Sequence, residues 1–377
     1  MIKAGILLPK SGVYPAIAIS LMESMRICLK QSGNSEKISF VSANIDFGGA
    51  EKEVYSQAEN LLVTEGVDLL IGYIDMKVMD ILEPLLHATG KLLIVLNAGA
   101  NLPEKKVPQS GVVYLTQQHS FVSVLTGALA AGKEAAYATT FYDCGYAQGG
   151  AMTDLFSAKE GTILFNYVNN QRYDDAFHIN ELIAFIDQQN GAPVHILCNF
   201  DEKPASLLYK KLDEHEHADK ISLYASPRML TKNAIGAGGY KFDIAGYTSW
   251  LPQIDTEENR AFKSALKKEP DIFHLSGWQA GLILNEILAM PEDVQSSGEE
   301  IVKQLRSKAL HSPSSAMHLD PETNFFTADV VYKCLLPAGA SDVVITPESA
   351  SGERWTNFVQ SRTEGPVSGW TNTYLCY

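Results

Sequence analysis

The chain has 377 residues, 46% of them hydrophobic and 20% charged. At roughly 100–200 residues per domain that length predicts two domains, and the composition excludes a disordered or fibrous chain. The formal net charge of −14 argues against nucleic acid or an anionic membrane surface as partner, because phosphate binding is driven by Lys and Arg. It fits a soluble monomer kept apart by self-repulsion.

No apolar run reaches the ~20 residues needed to cross a bilayer. The opening "MIKAGILLPKSG" reads as a first strand, since its apolar run is too short for the core of a leader. Met1 fits a native cytosolic start, or a start that replaces a removed leader. The five cysteines, Cys28, Cys144, Cys198, Cys334 and Cys376, are scattered and lack C-x-x-C spacing. They read as buried free thiols, with one disulfide open in an oxidising compartment.

In chain order, "KAGILLP" is a strand and "AIAISLMESMRICLKQSG" a helix. "KISFVSANID" is a strand, "EKEVYSQAENLLVTEG" a helix, "VDLLIGYI" a strand, "MDILEPLLHATG" a helix and "KLLIVLNAG" a strand. Continuous apolar strands alternating with helices predict a parallel sheet covered on both faces. The pattern restarts with "GVVYLTQ", helix "VSVLTGALAAGK", strand "EAAYATTFYD", helix "YAQGGAMTDLFSAKEG" and strand "TILFNYV". Helix "DAFHINELIAFIDQQNG", strand "PVHILCNF", helix "ASLLYKKLDEH" and strand "ISLYAS" complete a second doubly wound unit. "FDIAGYTSW" and the helices "ENRAFKSALKKE" and "SGWQAGLILNEILAM" follow. From Ser312 on, the chain turns to β-type residues. The tail 338–377, with Trp355 and Trp370, carries no pattern that places it.

Few motifs point to catalysis. "GALAAGKE" departs from a phosphate loop, since Glu134 stands where Ser or Thr should hold magnesium and the stretch is helical. "GAGGYKF", 236–242, reads as a flexible loop. "DEHEHADK", 213–220, offers His215 and His217 but reads as a solvated helix end, and His311 and His318 lack ligand spacing. No nucleophile or metalloprotease signature occurs. The sequence predicts neither an enzyme nor a cofactor. One stretch does invite a ligand: "KLLIVLNAGANLP" is a buried strand that stops at Asn97 and runs into the small-residue turn Asn97, Ala98, Gly99, Ala100 and Asn101.

The ordered set of pieces resembles the type I periplasmic binding proteins, and more narrowly the branched-chain amino acid and amide receptors of ABC importers. The likeness covers about residues 2–336. "IKAGILLPKSGVY" looks like the family's opening strand and Ser-Gly turn, and "AENLLVTEGVDLLIGYI" like its second helix and "IG" strand. "FYDCGYAQGGAM" is similar to its D-x-x-Y-G-x-G turn, with Tyr146 at the tyrosine. "LSGWQAGLILNEIL" is similar to its Tyr-x-Ala helix, with Trp278 at the aromatic. "SSAMHLDPETNFF" looks like its late hairpin, with Asn324 in place of glycine.

The resemblance implies an α/β fold of two doubly wound parallel-sheet lobes joined by three crossings, near 117, 246 and 330, with ligand in the cleft. Residues 1–117 and 247–330 would form the first lobe, 118–246 and 331–377 the second. Ligands sit beyond the carboxyl ends of such strands. The expected lining is therefore Ser11 and Tyr14, then Asp75 and Lys77, then Asn97, Ala98, Gly99 and Asn101 from the first lobe. The second lobe offers Tyr146, Phe200, Asp201 and Arg228, and Trp250 and Trp278 stand near the crossings. In the family, the turn matching 97–101 gives N–H groups and a hydroxyl to a ligand carboxylate. Here the hydroxyl position falls on Ala100 or Asn101, and the family's serine cluster falls on Asp75-Met76-Lys77.

Lys77 is a candidate carboxylate partner, and Asp75 or Asp201 a candidate holder of an amine. Tyr14, Tyr146, Phe200 and Trp250 are candidates to pack an apolar body. Each has a plainer role beside it. Lys77 would be a solvated helix start, Tyr146 lobe packing, Asn97 and Asn101 turn formers, Phe200 core, Arg228 a surface cation, and Trp250 and Trp278 hinge or core aromatics. The function implied is a solute receptor, outside the cytoplasm, that delivers a small amino acid, amide or carboxylate to a membrane permease. A ligand sensor on the same fold, or an enzyme using Asp75 with Lys77, is the alternative.

Overall fold

The computed structural model describes residues 1–48, 50–103, 108–140, 145–169, 177–350 and 352–362. The first sheet holds β1 (Ile2–Leu8), β2 (Ile38–Asn44), β3 (Leu69–Tyr73), β4 (Leu92–Asn97) and β5 (Val112–Thr116), all parallel, in the order β2-β1-β3-β4-β5. Alternation divides its side chains between two cores. Ala4 and Ile6 face the helices Ile17–Gln31 and Ile272–Leu288, while Leu7, Leu70 and Leu93 face the helices Glu51–Glu59 and Met79–Thr89. Burying a Leu or Ile fully is worth about 1.5–3 kcal/mol, so this double-sided core accounts for the unbroken apolar runs.

The second sheet repeats the plan. It holds β6 (Glu134–Thr140), β7 (Thr162–Asn169), β8 (Val194–Asn199), β9 (Ile221–Ala225) and β10 (Asp243–Thr248), parallel and in the order β7-β6-β8-β9-β10. A three-stranded antiparallel sheet of β11 (Ala309–His311), β12 (Ala316–Leu319) and β13 (Phe326–Ala328) leans on β5 through Tyr114 and Phe325. Then β14 (Val330–Leu336) and β15 (Val344–Ser349) extend the second sheet antiparallel beyond β10. The chain thus passes between sheets after β5, after β10 and at Asp329. The α/β class with two doubly wound parallel sheets is as the sequence predicts.

Two helices approach unusually closely. A Cβ on Gly277 would lie 2.2 Å from the Leu21 carbonyl oxygen, so Ile17–Gln31 and Ile272–Leu288 meet backbone to backbone there. The second of these starts earlier than its apolar pattern suggests. Asp271 caps it, accepting from the N–H groups of Phe273 and His274, both at 2.9 Å. Asn324 takes a left-handed φ of +57°, a conformation Asn tolerates better than most residues. The late turn therefore keeps its shape without glycine. Tail residues the sequence left unplaced form β15 and the helix Gly352–Ser361. Cys28, Cys198 and Cys334 are buried free thiols; Cys144, Cys376 and Trp370 lie outside the described residues.

Candidate functional site

In each sheet the strand order reverses beside the first strand, between β1 and β3 in one and between β6 and β8 in the other. In open α/β sheets, ligands bind in the crevice beyond the carboxyl ends at such a point. Ser11 and Tyr14 follow β1, Asp75 follows β3, and Asp201 follows β8. The residues the sequence singles out therefore fall into two groups, each built on strand ends.

The first group is a small concavity of about 10 Å³ lined by Asp75, Met76 and Asn97 through Asn101. Asn97 shapes it. Its Nδ2 donates to the Ile74 carbonyl at 3.1 Å and its Oδ1 accepts from Gly99 N at 2.8 Å, so one side chain ties the exits of β3 and β4 together. Gly99 has φ +71°, and a Cβ there would lie 2.6 Å from Gln118 N. The Ala98 and Gly99 carbonyls accept from His119 N at 3.0 Å and Ser120 N at 2.8 Å. The turn is thus fastened to the first turn of the helix His119–Ala128, immediately past the first crossing. Asp75, 3% exposed, accepts from Lys77 N at 3.0 Å, and the residue is part of the lining. Lys77 is half-buried outside that lining.

The second group joins the two sheets. Ser11 Oγ accepts from Tyr14 N at 2.9 Å, which sets the turn that presents the Tyr14 ring to the second sheet. The Tyr14 hydroxyl donates to Asp201 Oδ1 and accepts from Arg228 Nη2 at 2.5 Å. The Arg228 guanidinium lies 5.0 Å from the Tyr14 ring centre. It also pairs with Asp201 (Nε to Oδ1, 3.2 Å) and Glu202 (Nη2 to Oε1, 3.2 Å). Asp201 further caps the helix Glu202–Asp213. Burial holds the Tyr14 phenol well above its ordinary pKa, so it is neutral and able to donate. His119 is fully buried. That burial, and then the Arg228 charge, push it down to about 3, so it is neutral as well.

Phe273 connects the groups. Its ring meets Tyr14 edge-on at 5.3 Å and Tyr73 at 5.8 Å, and Tyr73 ends the strand that leads to Asp75. The sequence reading missed Phe273, His119 and Glu202. Glu202 adjoins a residue already singled out, and His119 follows a strand end, whereas Phe273 carries no local signal.

Three expected residues pack elsewhere. Phe200 is fully buried in the core of the second sheet. Trp250 donates through Nε1 to Asn259 Oδ1 at 3.0 Å, and both it and Trp278 pack edge-on against Phe262, at 6.2 and 5.0 Å. Arg228 is buried, not a surface cation. Tyr146 stands in the helix Gly145–Ala158, and its side chain lies outside the described part. His215 pairs with Asp187 at 2.9 Å. No group of metal-ligating side chains occurs among the described residues, and no helix among them is long and apolar enough to cross a membrane.

Twin parallel sheets, each with its own switch point, define a two-lobed α/β fold. The chain belongs to the periplasmic binding protein family, whose model matches residues 1–331. Solute-binding proteins of ABC transporters share this fold, several of them solved with a small ligand bound. A solute-binding protein from R. palustris, solved in complex with benzoate, is 22% identical with a TM-score of 0.69, over 94% of this chain and 98% of that one. An ABC transporter substrate-binding protein from Sphaerobacter thermophilus is 15% identical, with a TM-score of 0.71 over 93% and 97%. The branched-chain amino acid binding protein LivJ of Streptococcus pneumoniae, in complex with isoleucine, is 15% identical, with a TM-score of 0.63 over 92% and 100%. No curated protein matches the chain in sequence.

Proposed function

We propose that this receptor serves an ABC importer from outside the cytoplasm and that its ligand is a small α-amino acid, held by lobe closure. One observation carries the ligand class: Asp75 lines the same concavity as the Asn97–Asn101 turn. The turn is suited to a ligand carboxylate through its backbone and Asn side chains, and Asp75 to the ammonium group beside it. At about 10 Å³ the concavity is far smaller than the ~300–1,000 Å³ of complete pockets. It is one lobe's half of a site that the second lobe completes. We assign residues 1–117 and 247–330 to one lobe and 118–246 and 331–349 to the other. Ser11, Tyr14, Asp201 and Arg228 stand at the mouth between them. Ligand shifts a hinge equilibrium toward the closed form, which the permease recognises.

A second reading, an aromatic carboxylate, is favoured by the ring series Tyr14, Phe273 and Tyr73, and the R. palustris protein's benzoate complex supports it. The two separate in a thermal-shift screen of amino acids against benzoates. A ligand at 100 times its Kd adds about 2.7 kcal/mol to stability. A shift by amino acids with benzoates silent supports the proposal. The reverse pattern replaces it with the aromatic reading, and silence from both classes removes the small-carboxylate assignment.

A further inference from the structure

Asn199 ends β8, at the point where the strand order of the second sheet reverses between β6 and β8. It is 0% exposed, and neither its Nδ2 nor its Oδ1 has a hydrogen-bond partner among the described residues. No other described side chain has two such atoms. Its backbone carbonyl is satisfied, accepting from Thr139 Oγ1 of β6 at 3.0 Å. A buried amide without partners is destabilising, whereas a leucine of similar shape needs none. Folding alone gives no reason for asparagine at this position.

A second amide belongs to the same layer. Leu197, two residues earlier on the same face of β8, shares an apolar cluster with Met152 and Phe156 of the helix Gly145–Ala158. That helix joins two parallel strands and so runs back against them. The position one turn before Met152 therefore lies one step nearer the carboxyl ends, as Asn199 does beyond Leu197. Gln148 occupies it, 1% exposed. Its Nε2 donates to Ser123 Oγ at 3.2 Å, and its Oε1 has no partner. Ser123 ties this layer to the first group of site residues. It stands three residues after Ser120, on the helix His119–Ala128, where His119 N and Ser120 N fasten the Asn97–Asn101 turn. Three residues rise about 4.5 Å along a helix, comparable to the reach of a short side chain with a terminal carboxamide.

We propose that Asn199 and Gln148 form a polar subsite in the second lobe for an amino acid whose side chain ends in a carboxamide, glutamine or asparagine. The subsite rests on the amino acid reading of the site and adds the side chain to it. The unpaired atoms select the chemical group. Asn199 offers a donor and an acceptor, and Gln148 offers a second acceptor. A carboxamide carries one acceptor and two donors. Its oxygen accepts from Asn199 Nδ2, and its two N–H groups donate to Asn199 Oδ1 and Gln148 Oε1. A side-chain carboxylate would meet two acceptors with nothing to donate. An ammonium group would leave the Asn199 donor bare, and an aliphatic chain would leave all three atoms bare. Both amides are shut off from water as the lobes stand, so the ligand enters while they are apart. Closure then desolvates the new bonds, which sharpens the selection.

Thermal-shift and calorimetric titration of wild type, Asn199→Leu and Gln148→Met with L-glutamine, L-asparagine, L-leucine and propionamide test this. Wild type is expected to bind the better of glutamine and asparagine at least about 100-fold more tightly than leucine. Asn199→Leu is expected to reverse that order while raising the Tm of the free protein, because it removes the unpaired amide. A merely structural asparagine would not give that combination. Gln148→Met leaves Asn199 in place and reports if Asn199→Leu fails to fold; it is expected to weaken carboxamide binding about tenfold, the loss of one hydrogen bond. Leucine bound by wild type as tightly as glutamine, or an order that both variants leave intact, overturns the subsite and leaves the amino acid reading standing. A melt shifted by propionamide and by no amino acid, with the shift lost in Asn199→Leu, keeps the subsite and removes the amino acid reading. Silence from all four probes overturns the carboxamide assignment.

Discussion

The Tyr14 hydroxyl and the Arg228 guanidinium meet at 2.5 Å although 214 residues separate them in the chain. Tyr14 leaves the first strand of the first sheet, and Arg228 follows β9 of the second. One neutral phenol both donates, to Asp201, and accepts, from Arg228. The pairing ties the segment that follows β1 to the turns that follow β8 and β9.

Removing the cation from this cluster strands Asp201 and Glu202. Breaking a buried pair by deleting one partner costs about 3–5 kcal/mol, so Arg228→Ala is expected to lose that much in urea unfolding. Glu202 is partly exposed, which puts the loss toward the lower end. Tyr14→Phe keeps the Arg228–carboxylate pairs and deletes only the hydroxyl, with an expected loss of about 1–2 kcal/mol. If both variants match wild type, the cluster does not hold the lobes.

His119 makes stability depend on pH. Its folded pKa of about 3 lies below the unfolded value near 6.5. Between these values the unfolded chain binds a proton that the folded one refuses, so stability falls as pH falls. From pH 6.5 to pH 5 the expected loss from this residue is about 1.6 kcal/mol. Urea titrations at the two pH values measure it. His119→Asn, which cannot titrate there, is expected to flatten the difference by that amount.

The 97–101 turn requires glycine at one place. Gly99 combines a φ of +71° with a Cβ direction that runs into Gln118 N and Cα. The left-handed conformation alone costs about 1–2 kcal/mol for an L-residue, and here backbone must move as well. Gly99→Ala is expected to destabilise by roughly 2 kcal/mol or more. Because the displaced partner is the first crossing, it is also expected to weaken ligand binding. Equal stability and affinity would show that the turn is not seated as described.

Much of this was readable from the chain, for reasons particular residues make plain. "KLLIVLNAGANLP" announces a buried strand and a small-residue turn, because Leu92–Leu96 have sheet core on both faces and Gly99 has no room for a side chain. The lining at Asp75 and Asn97–Asn101 follows from that and from the strand-end rule. Aromatic character alone misleads: Phe200, Trp250 and Trp278 carry the same letters as a ligand platform, and whether a ring faces a cleft or Phe262 depends on packing that no local pattern records. Phe273 acts through rings 200 or more positions away in sequence. Gln117 and Gln279 gave no signal, since they meet only when the first crossing packs against the helix Ile272–Leu288. The tail's helix carries only a short apolar stripe, Trp355, Phe358 and Val359, and its partners Phe325 and Phe121 lie in other segments.

Asp75 is the residue on which the ligand class turns. Asp75→Asn keeps the shape of the capping side chain and removes its charge. Losing one charge-assisted bond of about 1.5–3 kcal/mol predicts a roughly 10- to 100-fold rise in Kd for an amino acid, with little change in melting of the free protein. An unchanged Kd would place the amine elsewhere, with Asp201 the next carboxylate to test.

The most direct measurement is calorimetric titration of wild type and Asp75→Asn with a matched pair: the best amino acid from the screen and the acid that differs only in lacking its amine. The account predicts that wild type binds the amino acid at least about tenfold more tightly, the worth of 1.4 kcal/mol, and that Asp75→Asn erases the preference. Equal or tighter binding of the amine-free acid by wild type, or a preference that survives Asp75→Asn, would contradict it.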